Sequence, residues 1–118
     1  ALGAAAFRAD FGAYLEDVDL SLRLQQEGGE LWYLPAATLV HRVPFPEPEI
    51  APWKIVLRDR NRRRVAAAHL RGAAWLRFWA FFAVSRALRA LQYALRGDAE
   101  RARAILRGMR TRSQGMQP

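Results

Sequence analysis

Apolar residues recur along this chain in two different rhythms. In the stretch EDVDLSLRLQQE, residues 16–27, Val18 and Leu22 lie four apart, as do Leu20 and Leu24. That spacing stacks them on one face and predicts a helix. Gly28-Gly29 then stops it, because glycine ends helices readily. The short runs ELWYL, 30–34, and TLVH, 38–41, are rich in aromatic and β-branched residues and are broken by Pro35. They predict two short strands. PFPEPEIAP, 44–52, carries four prolines in nine positions and reads as an extended linker.

From Trp53 onward the period is helical. WKIVLRDRNRRRVAAAHL predicts one helix ending near Gly72, and AAWLRFWAFFAVSRALRALQYAL a second ending near Gly97. Asp98 is placed to cap a third, running to about Arg107. The opening residues 1–13 are small and apolar, with Gly3 and Gly12 as punctuation, and predict a short helix or turn followed by a loop.

Charge divides the chain. Residues 1–53 hold three arginines against eight acids, a net of −5. Residues 54–118 hold sixteen basic residues against three acids, a net of +13. The acidic part suits a metal or proton-transfer site, and the basic part suits phosphate, on lipid, nucleotide or nucleic acid. With 52% apolar residues the chain is no disordered tail. It has no cysteine, which excludes disulfides and thiolate-bound zinc.

The second basic helix has two apolar faces. Trp75, Phe78, Trp79 and Phe82 share one; Leu88, Leu91 and Leu95 form another, with Arg86, Arg89 and Arg96 opposite. Its longest uncharged run, FWAFFAVS, has eight residues, well short of the ~18 needed to cross a bilayer. Aromatic rings and guanidinium groups at helical spacing fit an anionic membrane surface; they equally fit a helix packed on the rest of the protein.

The remaining puzzle is three carboxylates, Glu16, Asp17 and Asp19, within four residues. A helix start tolerates anions, and Asp19 with Arg23 four residues on forms a stabilising pair. The surrounding residues add more. Phe7 and Phe11, then Tyr14, then Glu16-Asp17-x-Asp19-Leu20-x-x-Arg23, then Gly28 or Gly29, Pro35, His41 and finally Arg60-Asn61 follow one another in order. This series resembles the later catalytic segment of bacterial family 2 glycosyltransferases, the rhamnosyltransferase-like group in particular. The resemblance covers residues 7 to about 64.

The resemblance implies an inverting transfer of sugar from a nucleotide-sugar donor to a saccharide or lipid-linked acceptor, in cell-surface polysaccharide synthesis. Asp17 is then the general base, which takes the acceptor's proton as the new bond forms. Glu16 lies beside it, Tyr14 and Arg60 contact substrate, and His41 coordinates a metal or touches the diphosphate. The implied cofactor is Mg²⁺ or Mn²⁺, with its main ligands outside this sequence. The implied fold is α-rich (α+β): residues 1–43 as the C-terminal part of a GT-A type α/β domain with two short strands near 30–41, 44–52 as linker, and 53–118 as a basic helical region of two or three long helices. No Asp-x-Asp precedes residue 16, so the chain is expected to be the C-terminal portion of an enzyme, inactive alone, and peripheral at the cytoplasmic face of the bacterial plasma membrane. The alternatives are a basic nucleic-acid-binding module or a helical interaction module without chemistry. No nucleic-acid motif is recognisable, and the acidic part would repel a polyanion. His69 shows no partner in the sequence.

Overall fold

A computed structural model describes residues 6–40, 42 and 50–111. After a 3-10 turn at Ala9–Phe11, four α-helices follow: α1 Glu16–Gln26, α2 Pro52–His69, α3 Gly72–Leu95 and α4 Ala99–Arg110. Pro52 occupies the first turn of α2, where its missing N–H costs nothing. The Asp98 side chain accepts the Arg101 N–H at 3.0 Å and caps α4.

The core lies between α2 and α4. Ile55, Ala104 and Ile105 are buried there, with Ile50, Val56, Ala90, Tyr93 and Met109 packed around them. Gly108 lets the two helices approach closely. A methyl at this position would lie 3.1 Å from the Asp59 Cβ and 3.3 Å from the Val56 Cα. An ion pair joins α3 to α2: the buried Asp59 carboxylate accepts from Arg86 at 3.1 Å, with Arg62 at 3.4 Å.

The expectation of an α/β GT-A fragment with two short strands is overturned. The structure is all-helical, and no strand occurs among the described residues. The reason lies in residues 30–40. A strand exists only when its backbone groups pair with a neighbour. Here the chain turns on itself at Pro35, with the Ala37 N–H bonded to the Leu34 carbonyl at 3.0 Å. Trp32 and Tyr33 remain 77% and 87% exposed. Strand propensity at ELWYL therefore finds no ladder to join.

The aromatic face of α3 is largely occupied by contacts within the chain. Phe82 is only 3% exposed, Phe78 and Trp79 are half-buried, and Trp75, Phe78, Trp79 and Phe82 pack ring on ring, with centroids 5.4–5.9 Å apart. Its Phe82 end turns inward, while Trp75 at the other end remains 40% exposed. No described helix is long and apolar enough to cross a membrane.

Candidate functional site

The acidic cluster begins on an unusual backbone. Tyr14 and Leu15 both adopt a left-handed φ of 69°, and Gly12 precedes them at 71°. Two successive non-glycine residues in this region cost on the order of 1–3 kcal/mol each, so surrounding contacts must hold them. Asn61, fully buried on α2, supplies those contacts. Its Nδ2 donates toward the carbonyls of Phe11 (3.0 Å), Ala13 (2.8 Å) and Tyr14 (2.9 Å).

Arg60 and Arg64 grip the same loop one step earlier. Arg60 Nη2 donates to the carbonyls of Asp10 (3.1 Å) and Phe11 (3.0 Å), and its Nε donates to Asn61 Oδ1 at 3.1 Å. Arg64 donates to the Asp10 carbonyl at 2.8 Å, pairs with the Asp10 carboxylate, and lies 4.9 Å above the Phe11 ring. Burial, with the Arg64 charge beside it, lowers the Arg60 pKa. Partial burial pulls the Asp10 pKa up, but Arg64 and Arg8 outweigh it and hold Asp10 below the ordinary aspartate value. Phe11, 1% exposed, anchors the arrangement.

α1 starts directly after this loop. Asp17 is exposed, and its Oδ1 accepts the Val18 N–H at 2.8 Å. Its Oδ2 has no hydrogen-bond partner among the described residues. Glu16 is half-buried, and its Oε2 is buried without a partner among them. Asp19 differs from both: it is 1% exposed and fully engaged. Arg23 Nε reaches one of its oxygens at 2.9 Å, and His69 Nε2 reaches the other at 2.9 Å. Arg23 also bonds the Ala6 carbonyl, and His69 Nδ1 lies 3.2 Å from Gln26 Oε1. Burial pulls the Asp19 pKa up, but the hydrogen bonds from His69 and Arg23 outweigh it and hold the carboxyl below the ordinary aspartate value.

The structure thus brings Tyr14 and the Arg60-Asn61 pair together, with Glu16 and Asp17 presented just beyond. Arg60 spends its Nε and Nη2 donors on this loop. His41 lies outside the described residues. Two cavities flank α2. One, of about 690 Å³, is lined by Arg8, Phe11, Asp19, Arg63 and Trp79 among others. The second, of about 1060 Å³, lies between α2 and α4, with Trp53, Leu106 and Arg107 in its wall. Neither is lined by Glu16 or Asp17. Among the described residues no three carboxylates or imidazoles cluster closely enough to hold a metal ion.

The sequence missed His69, whose partner Asp19 lies fifty residues upstream on another helix. It also missed Asn61 as the holder of the loop; the Arg-Asn pair itself was the available signal. The chain matches no protein-family model, no curated protein and no solved structure.

Proposed function

We propose that this chain carries the acceptor-activating part of an inverting glycosyltransferase, with Asp17 as general base. One observation supports this above the others: an exposed carboxylate with an uncommitted oxygen follows directly on a strained loop held by Arg60, Asn61 and Arg64. Strain of this kind persists where a precise backbone position matters. A carboxylate in such a place can accept a proton from an incoming hydroxyl if substrate comes within hydrogen-bond reach.

The step balances simply. The acceptor oxygen bonds to the anomeric carbon of the donor sugar, the bond from that carbon to the nucleotide diphosphate breaks, and the hydroxyl proton passes to Asp17. The diphosphate leaves with the electron pair. Glu16 shapes the acceptor side, and Tyr14 lines it. The donor is a nucleotide sugar and the acceptor a saccharide, free or lipid-linked. A lipid-linked acceptor would place the chain at the inner face of a bacterial plasma membrane.

The test is sugar transfer by a polypeptide carrying these residues behind a nucleotide-sugar-binding segment. Asp17→Asn should reduce transfer by at least about a hundredfold while nucleotide binding is retained. Full transfer by that variant would refute the assignment. A second reading, a helical interaction module without chemistry, is favoured by the absence of Glu16 and Asp17 from both cavity linings; it requires that Asp17→Asn change nothing.

A further inference from the structure

The outer face of α3 carries a pattern of its own. Phe81, Val84, Leu88, Leu91 and Leu95 follow one another at alternating steps of three and four residues. All five are exposed, from Leu91 at 55% to Leu95 at 80%. Ala73, Ala80, Ala87 and Ala94 run beside them at seven-residue intervals, also exposed. The stripe from Phe81 to Leu95 is about 21 Å long at 1.5 Å per residue. The opposite face is already committed: Phe82 is buried, Arg86 holds Asp59, and Ala90 and Tyr93 pack on the core.

Charge decides what covers this stripe. α3 contains three arginines and no acid. Of these, Arg86 is the one that holds Asp59, Arg77 falls in line with the stripe and Arg89 lies on its flank; Arg96, just past the helix end, lies on the same flank, and Arg77, Arg89 and Arg96 are exposed. A second copy laid against it would bring guanidinium groups together with no carboxylate on α3 to neutralise them. An anionic lipid surface supplies what is missing, namely hydrocarbon for the leucines and phosphate for the arginines. The helix is not long and apolar enough to cross a bilayer. We infer that α3 lies in the plane of an anionic membrane, with Phe81, Val84, Leu88, Leu91 and Leu95 inserted at the headgroup boundary and Arg77, Arg89 and Arg96 on lipid phosphates.

Docking of this kind needs no transfer chemistry. Vesicle binding by this chain, with no transfer by a polypeptide that carries it behind a nucleotide-sugar-binding segment, would count against the proposed enzyme and leave this surface standing.

The test is co-sedimentation of the full 118-residue chain with phosphatidylcholine vesicles, with and without about one-third phosphatidylglycerol. The anionic vesicles should bind at least about tenfold more strongly. Leu88→Glu with Leu91→Glu should cut that binding by about tenfold or more, with helical circular dichroism unchanged because both side chains face outward. Leu88→Ser with Leu91→Ser should weaken it in the same direction without altering charge. Arg103→Glu on α4 changes net charge as much as the double glutamate variant and should leave most of the binding intact. Equal loss from Arg103→Glu would mean that overall charge, not the stripe, drives binding, and would overturn the inference. So would unchanged binding by both leucine pairs. A doubled mass in light scattering, abolished by Leu88→Glu, in a chain that ignores vesicles would assign the stripe to a second copy instead.

Discussion

Asn61 Nδ2 lies 2.9 Å from the carbonyl oxygen of Tyr14, a residue forty-seven positions earlier whose backbone is left-handed. The same amide reaches two further carbonyls of that loop. A buried side chain on the basic helix thereby fixes the backbone that delivers the acidic cluster.

Asn61→Ala should remove those donors and leave buried carbonyls without partners. The expected loss is roughly 2–3 kcal/mol, read as a lower midpoint in urea denaturation. Asn61→Asp should be worse, since an anion would face three carbonyl oxygens. If sugar transfer is the function, both variants should lower it as well.

Acid should loosen the attachment of α1 to α2. The Asp19 pKa is depressed in the folded chain, so the stability it contributes is fully present above the ordinary aspartate pKa of about 3.9 and is lost as pH falls through the lower folded value. Urea midpoints measured from neutral pH down to about pH 2 should show this decline, and Asp19→Asn should flatten part of it. An unchanged slope in the variant would show that other carboxylates carry the whole effect.

His69 and Asp19 should be energetically coupled. Substituting either breaks the 2.9 Å contact, so a double-mutant cycle with His69→Ala and Asp19→Ala should give an interaction energy of about 0.5–3 kcal/mol. Strict additivity would refute the bond.

Asp59 is completely buried and neutralises Arg86 across the α2–α3 junction. Asp59→Ala should strand that guanidinium, which is itself mostly buried, at a cost of roughly 3–5 kcal/mol. Replacing both residues with apolar ones of similar size should recover much of the loss, and thermal melts of the single and paired variants would check this.

Gly108→Val should separate α2 from α4. The added carbons meet the Val56 backbone, which cannot rotate away, and the expected cost is about 1–3 kcal/mol despite valine's better helix propensity. The melting temperature of the variant reads it directly.

Local signals were legible in this sequence. The spacing of Val18 with Leu22, the glycines at 28, 72 and 97, and Asp98 as a cap all locate helix bodies or ends from residues a few positions apart. Strand propensity at Leu31–Leu34 was equally local, but strands depend on partners elsewhere, and none is present among the described residues. The site followed the same division. Asp19 with Arg23 could be read as a pair four residues apart. The bonds from Asn61 to the Tyr14 loop, from His69 to Asp19 and from Arg86 to Asp59 join residues twenty-seven to fifty positions apart. No periodicity announces contacts of that range. Nor does hydrophobicity alone tell which of the two faces of α3 turns inward.

Because Arg60, Asn61, Arg64 and His69 all reach back from α2 to residues 10–26, the charge division of the chain does not separate two independent bodies. A protease that nicks the proline-rich stretch would still leave two pieces held together by hydrogen bonds and one shared ion-paired seam. Separately expressed, those pieces should reassociate on mixing, and the acidic peptide should become helical only when its basic counterpart is added.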